Sequence, residues 1–230
     1  MKKIALLLFI ALSLPLAADE PFVRNSGAVT RVAAGANLRA QIDGVRDGWV
    51  GYALPLAEPR SIVCRGRNEW FSDNESEGRT SAVHLFFRMK EGAIDDMKIA
   101  APLCTLDAGN RPVTWLEGAD ERAAVTTLID MARRHKSSDV RERSLFWLSQ
   151  QAGAKAAAAL QDAVEHDPEE SVKARAVFGI SQLPDDQSIP LLVKLMKTHG
   201  TREVRKKAAF WLGQKKDPRA LAAIEDVLLH

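Results

Sequence analysis

Three stretches in the second half of this chain repeat in strict register: Val140-Arg-Glu-Arg-Ser-Leu-Phe-Trp-Leu-Ser-Gln150, Val172-Lys-Ala-Arg-Ala-Val-Phe-Gly-Ile-Ser-Gln182 and Val204-Arg-Lys-Lys-Ala-Ala-Phe-Trp-Leu-Gly-Gln214, each 32 residues after the last. A second apolar set keeps the same step: Leu128, Leu160, Leu192 and Ile224, with Met131, Ala163, Leu195 and Val227 beside it. The unit is therefore two helices. A helix pair this short cannot bury its apolar face alone, so successive pairs must stack into a solenoid. A leading helix from about Asp120 to His135 and three repeats predict an all-α array of about seven helices over residues 119–230. On a helical wheel Val140, Ser144, Trp147 and Leu148 share the buried face, and Phe146, like Phe178 and Phe210, falls on the far side.

The first helix of each pair is expected to begin after Asp139, Ser171 and Glu203, where an acceptor or a negative charge suits the free amides and the helix dipole. Pro168 and Pro218 mark helix starts, and Pro184 and Pro190 bracket a turn. The last helix is expected to cap the stack with Leu221, Ile224, Val227 and Leu228 inward, and Gln150, Gln182 and Gln214 to bond inter-helix backbone. His135, His166 and His199 fall at helix C-termini, where an imidazolium suits the dipole.

The Asp/Glu/Ser-Val-Arg/Lys-x-x-Ala/Ser helix start, the Leu-Gly or Leu-Ser helix end and the entry Asp217-Pro-Arg-Ala-Leu221 resemble the HEAT-repeat superfamily, particularly the short HEAT-like repeats of the phycobilisome-lyase type. Ala-Phe-Trp-Leu-Gly-Gln together with Asp-Pro-Arg-Ala is also similar to a group of uncharacterised secreted bacterial HEAT-repeat proteins. The resemblance covers residues 120–230. It implies a non-enzymatic protein-binding scaffold whose second helices line a concave surface. The outward polar positions there are Arg133, Arg134, Gln161, Glu165, Lys194 and Lys197, and their mixed signs point to a protein partner rather than a polyanion. Phe146, Phe178 and Phe210 either pack against neighbouring repeats or form an aromatic stripe on the outer surface.

The other end of the chain carries an address. Lys2-Lys3, an apolar run from Ile4 to Leu16 broken only by Ser13 and Pro15, and Ala17-Ala18 before Asp19 have the three regions of a secretory signal, with cleavage after Ala18. The run falls short of the ~20 apolar residues that span a bilayer. The expected organisation is a signal peptide at 1–18, a small β-rich domain at 19–118 and the HEAT-like array at 119–230, in a periplasmic or secreted protein with no membrane attachment after signal removal. Past residue 18 the chain holds 30 basic and 30 acidic side chains, so no basic excess drives nucleic-acid or anionic-membrane binding.

Only two cysteines occur, Cys64 and Cys104, and export predicts one bridge between them. Closing a loop of about 41 residues would stabilise the fold by roughly 4 kcal/mol. The pair lacks the Cys-x-x-Cys spacing of a redox site.

Residues 19–118 read as an α+β unit: strands near 27–33, 49–55, 60–65, 82–90 and 94–100, a short helix near 35–45, and a hairpin joining Cys104-Thr-Leu to Pro112-Val-Thr-Trp-Leu116 through Asp107–Arg111. The polar stretch 72–78, with the glycosylation-like Asn74-Glu-Ser76, reads as an exposed loop. Trp49, Tyr52, Trp70, Phe71, Phe86, Phe87 and Trp115 supply an aromatic core. The alternative function, an enzyme or small-ligand receptor, would place its site here or at the junction with the array, around Trp49, Tyr52, Trp70, His84 and Trp115. The familiar hydrolase, zinc-protease, phosphate-loop and dinucleotide motifs do not occur, and no cofactor is expected.

Overall fold

The structure is a computed structural model that describes residues 22–63, 70–71, 79–102, 104–151 and 153–229. The expected signal segment at 1–18, Cys64 and the 72–78 stretch lie outside these residues. The first half forms β1 (Phe22–Arg24), β2 (Val29–Ala33), α1 (Leu38–Asp43), β3 (Gly48–Val63), β4 (Trp70–Phe71), β5 (Arg79–Lys90), β6 (Ala93–Ala100), β7 (Thr105–Asp107) and β8 (Val113–Glu117). The main sheet runs β2-β8-β3-β5-β6 with β4 on β3, and β1 pairs β7 separately. The two strands expected at 49–55 and 60–65 are one long strand, whose register against β5 shifts between Pro55 and Arg60.

The expected hairpin does not form. β8 slides between β2 and β3, parallel to both, while β7 pairs in parallel with β1. The turn residues at 107–111 do turn the chain: Gly109 and Asn110 take positive φ, and Asp107 accepts from the Gly109 amide at 3.1 Å. They connect two separate sheets instead of one ribbon. The signature of this placement is β8's burial on both faces, Val113 and Trp115 on one and Leu116 on the other, as suits a central parallel strand.

Alternation along β5 sorts the sheet into two faces. Val83, Leu85, Phe87 and Met89 join Val50, Tyr52 and Leu54 of β3 beneath the helices. Phe86 joins Trp49 and Trp115 on the opposite face, closed by Ala100–Ala108. Gly51 makes that second face possible, because a Cβ there would sit 2.6 Å from the Phe86 ring.

The second half is α2 (Glu121–Arg134), α3 (Ser138–Ser149), α4 (Ala154–His166), α5 (Glu170–Ser181), α6 (Asp185–Thr198), α7 (Arg202–Gly213) and α8 (Pro218–Leu229). First helices touch first helices, α3 on α5 and α5 on α7; among second helices α2 meets α4 and α6 meets α8. The repeat positions are the array's core: Val140, Val172 and Val204, Leu148, Ile180 and Leu212, and Leu128, Leu160 and Leu192 are all buried. Gly179 stands where the flanking repeats carry Trp147 and Trp211, and a Cβ there would meet Leu160 at 2.5 Å.

Several local expectations are corrected. The first helices begin two residues early, with Ser137, Glu169 and Thr201 as caps whose own side chains make no capping bond. The bond comes from two residues back: His135 Nδ1, Asp167 Oδ1 and His199 Nδ1 accept from the amides of Ser137, Glu169 and Thr201 at 3.1, 2.9 and 3.1 Å. His135 and His199, expected to match the helix dipole, thus each use Nδ1 to accept a backbone amide at the start of the next helix. Pro190 lies inside α6 instead of in a turn. The amides of Gln150 and Gln182 donate to the hydroxyls of Ser149 and Ser181, within their own helix ends. The last helix does not turn its apolar side wholly inward: Leu221 and Val227 are exposed. Leu228's side chain lies outside the described residues.

The two halves share one continuous apolar core, running from Leu38, Ile42 and Met97 through Leu128, Met131 and Leu145 to Leu212. Polar contacts fasten the same seam. Gln151 donates to the Pro55 carbonyl at 2.9 Å, His135 Nε2 meets the Ile94 carbonyl at 3.1 Å, and Arg143 reaches Asp96 at 3.0 Å and the Met97 carbonyl.

Candidate functional site

The aromatic residues weighed as a ligand groove are packed away. Tyr52 is fully buried in the face beneath the helices, and its burial pushes the phenol pKa up. Trp49, His84 and Trp115 are buried on the other face, with His84 and Trp115 ring centroids 4.9 Å apart. The side chain of Trp70 lies outside the described residues. A cleft does open at the junction, lined by different residues: about 1430 Å³ between α1, the β5–β6 turn at Gly92, and α2. In it Arg39 bridges Asp43 at 2.9 Å and Asp130 at 2.5 Å. Arg134 holds Asp130 from the other side at 3.3 Å, and Arg122 is exposed on the rim.

On the second-helix face, three of the six polar positions named from sequence make contacts between successive repeats. Arg133 of α2 pairs with Asp162 of α4 at 2.8 Å. Glu165 of α4 lies 3.6 Å from His199, which ends α6. Lys197 of α6 meets Asp226 of α8 at 2.5 Å. Gln161 bonds its own helix at the Ala157 carbonyl, and Lys194 is exposed. The exposed Arg133–Asp162 and Lys197–Asp226 pairs contribute about 0–1 kcal/mol each.

The three phenylalanines differ. Phe146 stacks on Phe178 with centroids 6.3 Å apart and planes 2° from parallel. Phe178 meets Trp211 at 5.0 Å. Phe210, at the last repeat, is 58% exposed.

Sequence reasoning missed the strongest polar contact at a repeat boundary. Arg141 donates through Nε and Nη2 to both oxygens of Asp167 at 2.7 and 3.0 Å, in a nearly dry setting, and its Nη1 donates to the His135 carbonyl at 2.9 Å. The findable signal was a basic residue at 141, 173 and 205 in the 32-residue register. Among the described residues no group of three or more His, Cys, Asp and Glu is placed to hold a metal ion, and no helix is long and apolar enough to cross a membrane.

Comparison with known proteins places the helical part. Residues 160–230 match the family model for HEAT repeats. Among curated proteins no significant match was found. Among solved structures, one similar chain is human deoxyhypusine hydroxylase in complex with glycerol, at 24% identity and a TM-score of 0.38, covering 44% of this chain and 36% of that one. This chain thus spans about a third of that protein's length.

Proposed function

We propose that this chain is an exported, non-enzymatic scaffold that binds a protein partner through its helical repeats, of which residues 160–230 match the HEAT-repeat family model. The observation that carries the reading is the array itself, a run of stacked helix pairs matching HEAT repeats. Repeats of this kind present one long surface, and binding energy on such surfaces gathers in a few arginine and aromatic anchors. Affinity capture from a cell-envelope extract with the full chain tests it. Charge reversal at Arg133 and Lys197 together leaves the melting temperature nearly unchanged, since both pairs are well exposed, and lowers recovery of the partner. Equal recovery by the double variant takes the second-helix face out of the account.

The export reading rests on the signal-like start, and with it goes a Cys64–Cys104 bridge, Cys104 being buried in the second face of the sheet. In denatured, unreduced native protein neither thiol reacts with a maleimide; reaction of both overturns the bridge. The junction cleft supports a second reading, a small-ligand receptor. A ligand that copurifies with the native protein and is lost in Arg122→Ala would favour it.

A further inference from the structure

Because the repeats are equivalent position by position, the inner ones show what each surface position is built to meet. Three α3 residues face the repeat that follows. Arg141 grips Asp167 ahead of α5, Glu142 faces Arg175 at 3.8 Å, and Phe146 stacks on Phe178. Two repeats on, the same positions are Arg205, Lys206 and Phe210.

Arg205 keeps half of the arrangement. Its Nη1 donates to the carbonyls of His199 and Gly200 at 2.7 and 2.9 Å, as Arg141 does to His135 and Lys136. Its Nε and Nη2, the atoms that in Arg141 hold a carboxylate, have no partner among the described residues. The apolar positions tell the same story. Leu221 is 59% exposed where Ile189 is 4%, and Val227 is 40% exposed where Leu195 is 4%. This end of the array therefore displays an interface that the inner repeats bury.

We propose that the α7–α8 end face is a docking surface for a helical segment of an acidic protein, which sets carboxylates against Arg205 and Lys206 and an apolar side chain on Phe210, as a further repeat would. The proposal rests on the interaction-scaffold reading and names its surface and the partner's chemistry. Charge selects the occupant: residues 202–207 hold four cations against the single carboxylate of Glu203, which pairs with Lys206 at 2.9 Å, and a planar guanidinium with two donors unpartnered among the described residues suits a carboxylate. A second copy does not fit. Its own end face carries the same positive charge, and the surface of its α2–α3 pair that would continue the stack is packed on β3 and β6, with Arg143 on Asp96 and His135 on the Ile94 carbonyl.

The probe is a synthetic peptide of residues 167–198 carrying Arg175→Glu, which offers Asp167, a carboxylate for Lys206, and Phe178. As a folding control the same segment is joined directly after His230, where it continues the 32-residue register. The full chain binds the free peptide saturably at one to one, Arg205→Glu weakens binding about tenfold or more, and Asp167→Arg in the peptide restores it. The proposal is overturned if the joined segment gains no helicity. It is equally overturned if the joined segment folds but the free peptide does not bind, if Arg205→Glu binds as well as the parent, or if light scattering shows a dimer that Arg205→Glu leaves intact. Failure here leaves the second-helix face to the capture experiment, so the two readings fall separately.

Discussion

At the scale of single residues, Arg141 and Asp167 hold the first repeat boundary. The guanidinium is committed on every side: to the carbonyls that end α2 and to both oxygens of one carboxylate, which also caps α5 through the Glu169 amide. The bond to Asp167 raises the guanidinium's pKa above its ordinary value. Removing one partner of a nearly dry pair strands a charge, so Asp167→Ala is expected to cost about 3–5 kcal/mol in urea denaturation, and Arg141→Met with Asp167→Leu to recover most of it. A loss below about 1 kcal/mol in the single variant would contradict this role, being the size of an exposed pair. The 32-residue register shows the basic residue but hides its acceptor for a physical reason. Positions 135, 167 and 199 are His, Asp and His, so the shared function of accepting an amide proton at a helix start is carried by different side chains. Composition matching sees no repeat there. The apolar positions, which need only volume and hydrophobicity, repeat visibly.

Elements were legible where a local period decided them. Seven helices follow from periodicity, and Leu192 shows why the register is firm: it is fully buried at a position whose equivalents, Leu128 and Leu160, are equally dry. Leu192→Ala should cost about 2–5 kcal/mol by chemical denaturation, whereas a loss under about 0.5 kcal/mol would mean the register is wrong. The β-rich half shows the limit of the same reasoning. A turn-rich stretch between two short apolar strands reads as a hairpin, yet β8 takes its partners from β2 and β3, more than 50 residues away in sequence. Parallel pairing over such distances leaves no short-range pattern; its trace is a strand apolar on both faces. The last helix was misread because its sequence matches its siblings. Whether Leu221 and Val227 are covered depends on what packs against α8, which the helix's own period does not encode.

At the scale of the whole molecule, the sheet and the array are joined through one apolar core and a polar seam, so the β-rich half anchors the first turns of the array. Of the candidate residues, sequence located the second-helix charges and the aromatic row, while the internal pairing of Arg133, Glu165 and Lys197 and the exposure of Phe210 needed the packed repeats. The claim that the repeats bind a protein is tested most directly by placing a photoreactive side chain at Lys194, at Phe210 and, for comparison, at Val29 on the sheet's exposed edge strand, and illuminating cells that make the full chain. The account predicts one crosslinked protein, the same from Lys194 or Phe210 and missing from Val29. Crosslinks from Val29 alone, or from none of the three, would contradict it.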